Sequence, residues 1–235
     1  NAAKSYYEEK HDRGSFVKDI ISDNIMLGDI YMRAKELRVA TDVSRGIVAI
    51  RALQKGESVP TETIQAMFPD RQNDFVLSVG EGDVVLIRQL LDGAGSKELN
   101  KTAAQIEEAL RVNGESTVVV GMGTIAMHLR DLAKSYKEAQ IAIEVGKVFD
   151  TEKYIINYEN LGIGRLIYQL PTTLCEMFLQ EVFKKNPIDA LDKETLFTIH
   201  KFFENNLNVS ETARKLFVHR NTLVYRLEKI KKLTG

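Results

Sequence analysis

The stretch "NVSETARKLFVHRNTLVYRLEKI", Asn208 to Ile230, and the few residues after it concentrate the side chains with most to offer a charged, hydrogen-bonding partner. His219, Arg220, Asn221, Thr222, Tyr225, Arg226, Lys229 and Lys232 fall within 14 residues. An arginine can donate two hydrogen bonds to a guanine edge, and an asparagine can pair with adenine. Lysines further along the same helix would meet phosphates. The local charge fits that chemistry: Asn205 to Gly235 holds seven Lys/Arg and two acids, net +5, while the whole chain is −1 and the remainder therefore −6. A basic module on an acidic body points to nucleic acid or an acidic surface as the partner. The plainer alternative is a core-forming helical hairpin whose charged face is merely solvated.

Other chemical candidates are weaker. Gly80-Glu81-Gly82-Asp83 reads as a turn, with Glu81 and Asp83 as turn residues or as the remains of a nucleotide site. Gly121-Met122-Gly123 lacks the third glycine and the distal acid of a dinucleotide loop, so a kink at a strand end is expected there. His11, His128, His200 and His219 are far apart with no ligand spacing, and no metal site or cofactor is expected. Cys175, the single cysteine, lies on an apolar helical pattern and reads as a buried, inert thiol.

Two short helices around a tight turn would position the basic residues. Asn208 can cap the first, with Glu211 three residues on able to reach back in a capping box. That helix runs from Val209 to about Leu216, and Ala213 allows a second helix to cross closely. Phe217-Val218 forms the turn with Val218 inward, and His219 or Arg220 starts the second helix. Leu223, Leu227 and Ile230 make one narrow apolar stripe on it. At about 100° per residue, Asn221, Tyr225, Lys229 and Lys232 fall on the far side, with Arg226 flanking.

Upstream, Phe16, Val17, Ile20 and Ile21, then Ile30 and Leu37, mark two leading helices. "GIVAIRAL" is a buried strand between Gly46 and Gly56, and Pro60-Thr61 starts a helix. Phe75–Val79 and Val84–Leu90 form a hairpin across the glycine turn. "SKELNKTAAQIEEALR" is a helix capped by Ser96, "STVVVGMGT" a strand, and "LRDLAKSYKEAQIAIEVGKVF" a helix. This order predicts an α+β sandwich of about four strands; after Phe149, "YIINYENLGIGRLIYQLPTTL" leads from a short strand into an all-helical remainder. In "GIGRLIYQLPTTLCEMFLQEVF", Pro171 separates two helices. Leu161, Leu166, Ile167, Leu170, Phe178, Leu179 and Phe183 are expected to pack into a core or, second, to pair two chains.

The chain has 235 residues, 44% hydrophobic and 28% charged, the balance of a globular protein of two units. No apolar run approaches the ~20 residues of a membrane helix, and one cysteine fits a reducing cytoplasm. The "NAA" start is not methionine and has no signal-peptide character, so a tag remnant before part of a longer protein is expected.

"LNVSETARKLFVHRNTLVYRLEKIKKLTG" resembles the C-terminal helix-turn-helix of the PucR/CdaR family, bacterial regulators of purine breakdown and sugar-diacid use. The resemblance implies that the module continues past Gly235. Val39 to Phe149 is similar to the diguanylate cyclase (GGDEF) fold, on "DFVLSVGEGDVVLI" and "VVVGMGTIAMHLRDLAKSYKEAQIAIEVGKVF". It departs from a working cyclase in two places. The turn reads Gly80-Glu81-Gly82-Asp83-Val84, displacing the second glycine and the acid, and the first strand carries Arg51 or its neighbours where a metal-binding aspartate belongs.

The implied organisation is α+β: a degenerate GGDEF-like sandwich followed by an all-α helix-turn-helix. Residues 1–38 are the leading helices and tag remnant, 39–155 the GGDEF-like domain, 156–190 a helical connector, and 191–235 the DNA-binding module. The implied protein is a cytoplasmic, non-enzymatic regulator of a metabolic operon of the purine or sugar-diacid type. It would bind double-stranded DNA as a homodimer through the eight residues named at the outset, with no membrane. A small metabolite would act through an upstream domain. The alternative is a degenerate nucleotide-binding or cyclase-like domain with a protein-interaction helical module.

Overall fold

The computed structural model describes residues 2–54, 56–70, 72–91, 93–114, 117–149, 154–183 and 191–234. Asn1, the first residue of the expected tag remnant, lies outside them, as does the side chain of His11. The chain divides into two units, Asn1–Tyr168 and Gln169–Gly235.

In the first unit, α1 (Ala2–Ile21) and α2 (Leu27–Glu36) precede β1 (Arg45–Ala52) and α3 (Thr61–Met67). The hairpin β2 (Phe75–Val79) and β3 (Asp83–Gln89) is followed by α4 (Ser96–Val112), β4 (Val118–Met122) and α5 (Leu132–Phe149). β5 (Ile155–Asn157) and α6 (Gly164–Tyr168) complete it. The sheet has five strands in the order β2-β3-β1-β4-β5, not four. The fifth is β5, the short strand expected after Phe149, three residues long and parallel to β4 with Val120 opposite Ile155.

Helices cover both faces, which is why β1 and β4 read as unbroken apolar runs rather than alternating ones. Ile47 and Ala49 join Phe16, Ile20, Ile30, Ile87, Leu132 and Ile143 on the face of α1, α2 and α5. Val48 and Ile50 join Ile64, Leu86, Leu99, Ile106, Leu110 and Met122 on the face of α3 and α4. Both leading helices are therefore part of the core.

One local expectation is corrected. Gly95, not Ser96, occupies the cap position of α4; Ser96 opens the helix, and its hydroxyl donates to Glu159 Oε2 at 2.6 Å. Gly121 and Gly123, where a strand-end kink is expected, let α5 lie against the end of β4. A Cβ on Gly121 would stand 2.2 Å from the Ala139 carbonyl oxygen, and one on Gly123 2.0 Å from that of Ser135. Ser135 Oγ donates to the Thr124 carbonyl at 2.6 Å, and the Thr124 amide donates to Glu138 Oε2 at 3.0 Å, stitching the same seam.

The second unit begins with α7 (Thr172–Val182), which Pro171 precedes, followed by α8 (Lys193–Glu204), α9 (Val209–Lys215) and α10 (Arg220–Thr234). The connector residues are not core. Leu166, Ile167, Leu170 and Phe178 are exposed, Leu179 and Phe183 are half-buried, and only Leu161 packs against a core cluster. Cys175 is likewise half-buried, because α7 buries none of its residues.

Candidate nucleic-acid interface

Each of the last three helices starts with a side-chain cap, satisfying amides that a helix start leaves without partners. Asp192 accepts from the Thr195 amide at 2.7 Å, Asn208 from the Glu211 amide at 3.0 Å, and His219 Nδ1 from the Asn221 amide at 3.2 Å. Glu211 does not close a capping box; its carboxylate faces Arg214 at 3.6 Å. His219 accepts through Nδ1, so its cap requires the neutral ring with the proton on Nε2.

α8, α9 and α10 pack on one another around Leu191, Thr198, Thr212, Ala213 and Leu223. The two threonines answer their own hydroxyls through the carbonyl four residues back, Glu194 for Thr198 and Asn208 for Thr212, each at 2.8 Å. Self-satisfied in this way, a threonine can stand in a core where no apolar signal marks it. The turn before α10 is tight: Phe217 adopts φ 54° and is 95% exposed, while Val218 is half-buried.

The packing sorts the faces of α10. Leu223 is fully buried, and Leu227 and Ile230 are half-buried. Arg220, Asn221, Thr222, Lys229 and Lys232 are exposed, as is His219 before them, and Tyr225 is 69% exposed. Arg226 differs. Its Nη2 lies 2.5 Å from Glu194 Oε1 of α8, across a groove of about 260 Å³ lined also by Asp192, Thr222, Tyr225 and Lys229. Sequence reading had no means of pairing Glu194 with a residue 32 positions away.

In the first unit, the place where a cyclase would hold metal is closed by an ion-pair cluster. Arg51 Nε reaches both carboxylate oxygens of Asp83, at 2.9 and 3.1 Å, and Arg51 Nη1 pairs with Glu144. The bond to Asp83 raises the guanidinium further above its ordinary range. Asp83 is thus not a turn residue but half of a side-on arginine clamp. A cation approaching Asp83 or Glu144 would meet a resident positive charge. Among the described residues, no group of three or more His, Cys, Asp or Glu could hold a metal ion. Nor is any helix there long and apolar enough to cross a membrane.

The comparisons agree with this division. Residues 195–235 match the PucR C-terminal helix-turn-helix domain, and residues 23–145 match the GGDEF-like domain. The chain is 30% identical over 135 residues to the purine catabolism regulatory protein of Bacillus subtilis, covering 56% of this chain and 25% of that protein. It is 26% identical over 175 residues to the carbohydrate diacid regulator of Escherichia coli, covering 72% and 45%. Against the proline-responsive transcriptional activator PutR of Bacillus subtilis it is 30% identical over 124 residues, covering 50% and 30%. The chain thus spans less than half the length of each of these relatives. With a GGDEF-like domain matched over more than half of its residues and a PucR-type helix-turn-helix behind it, the chain belongs to the PucR/CdaR family of regulators.

Proposed function

We propose that the chain is the DNA-binding portion of a cytoplasmic transcriptional regulator of a metabolic operon, of the purine- or diacid-catabolism type. The observation that carries this reading is the exposed stripe of α10, in which Asn221, Tyr225, Lys229 and Lys232 lie away from the buried Leu223, with Arg220 exposed at the helix start. Inserted in a major groove, the first turn of α10 reaches base edges and the lysines reach phosphates. His219 works as the cap that sets the helix start, and Thr222 borders the same surface. Arg226 joins the DNA contacts by leaving Glu194. The working form is a homodimer, since two recognition helices one DNA turn apart are what give such modules useful affinity. The exposed apolar side chains of the connector supply surface for that pairing. A small metabolite is sensed by a segment upstream of this chain.

Titration against the promoter region of its own operon tests the reading. Protection at saturation should span two half-sites. Arg220→Ala and Asn221→Ala should each weaken specific binding by about 1–3 kcal/mol and leave nonspecific binding nearly intact. Lys229→Ala and Lys232→Ala should weaken all sequences alike and lower the salt slope by about one phosphate contact each. Unchanged sequence preference in folded Arg220→Ala and Asn221→Ala variants would transfer the role of α10 to a protein partner.

The GGDEF-like domain is not a cyclase in this reading, because Arg51 stands where metal charge would be needed. With GTP and Mg²⁺ the chain should yield no cyclic dinucleotide. Product that disappears in an Asp83→Ala variant would refute this.

A further inference from the structure

Among the described residues, the buried side-chain nitrogens and oxygens left without a hydrogen-bond partner all belong to two arginines: Nε of Arg13, and Nε and Nη1 of Arg45. Arg45 opens β1 and is 2% exposed. It lies on the same side of the sheet as Ile47 and Ala49, under α1 and α2, with Gln89 opposite on β3. Its one hydrogen bond runs from Nη2 to the Ala40 carbonyl at 2.7 Å. Arg13, on α1, donates from Nη2 to the Gln72 carbonyl at 2.7 Å and stacks its guanidinium over Phe75 at 5.6 Å.

Among the described residues, no carboxylate answers either charge. Burial first, and then the neighbouring Arg13 charge, bring Arg45 down to about 10, which still leaves it cationic at neutral pH. Buried polar groups are nearly always bonded, and a buried charge without a counter-ion is among the least favourable features a fold can carry. Water can accept hydrogen bonds here, but it cannot offset two like charges.

We propose that Arg13 and Arg45 hold a compact oxyanion, a free carboxylate or phosphate, between α1 and the start of β1. Its several lone pairs meet donors that come from two different elements. Arg13 also lines a recess with Gly14, Phe68, Asp74 and Phe75 that Arg45 does not reach. With Arg45 only 2% exposed, the class is a small ion rather than a nucleotide. The Asp74 carboxylate on this recess is turned to the Gln89 amide, at 3.2 Å. This site is independent of the DNA-binding surface.

Thermal melting of the chain in sodium phosphate, sulfate or acetate, each against sodium chloride of equal ionic strength, tests the proposal. At tenfold excess over its dissociation constant, the bound ion should raise the melting temperature of the first unit by about 3–6 °C. A rise with phosphate and sulfate alone assigns a tetrahedral ion, and a rise with acetate a carboxylate. Arg45→Met and Arg13→Met should each abolish the rise, and Arg45→Met in chloride should melt no lower than the parent. Should Arg45→Met not fold, Arg13→Met and Arg45→Lys carry the test. An absent oxyanion-specific rise, or one of equal size in the arginine variants, which would place the ion on the basic α10, overturns the site.

Discussion

Leu223→Ala should abolish DNA binding by unfolding the second unit rather than by removing a contact. Leu223 is the only large side chain in that unit with no exposure among the described residues; the other buried positions are Leu191, Ala213 and two threonines. Truncating a buried leucine costs about 2–5 kcal/mol. A unit of this size has a stability of only about 3–10 kcal/mol, so the loss takes most of it. Circular dichroism should show the helical signal of the unit melting near or below room temperature, with specific and nonspecific DNA binding lost together. Arg220→Ala, on the exposed face, should keep the signal and lose only specificity. A Leu223→Ala variant that stays folded and still reads its operator would mean that α10 is held by something other than this core.

Gly121→Val should be among the most damaging single changes in the first unit. Its Cβ would fall 2.2 Å from the Ala139 carbonyl oxygen and 2.7 Å from Ile143 Cγ1. The first of these is helix backbone, so relief requires α5 to move as a body away from β4, opening the central packing layer. Overpacking costs about 1–3 kcal/mol where side chains can adjust, and more where they cannot. Gly46→Ala provides the comparison: its Cβ would meet Leu99 Cδ1 at 2.4 Å, the far end of a side chain that can rotate. Urea titration should place the midpoint of Gly121→Val far below that of Gly46→Ala. Equal midpoints would show that α5 does not rest on the strand as described.

What could be read in advance follows from the range of each signal. Strand and helix periods are local, so β1 to β4, α4, α5 and the final helix pair are legible from a dozen residues at a time. The cap at Asn208 and the break at Pro171 are legible for the same reason. A threonine core is not, because Thr198 and Thr212 become apolar in effect only once their hydroxyls bond their own helices. The connector misled in the opposite direction: apolar composition suggested burial, yet burial depends on a facing surface, and Leu166, Ile167 and Phe178 are exposed.

By itself the sequence determined the order of elements, the apolar stripe of α10 with its opposing polar face, and the likeness to a regulator family, since each rests on residue types at short, regular spacing. Tertiary structure alone decided which charges meet. Arg51 finds Asp83 and Glu144, Arg226 finds Glu194, and Arg45 finds Arg13 but no acid among the described residues. It also decided that Gly121 and Gly123 serve a helix rather than a turn. The reason is physical: the energy of an ion pair or a close backbone approach depends on distance in space, and folding sets that distance between residues whose separation along the chain carries no pattern.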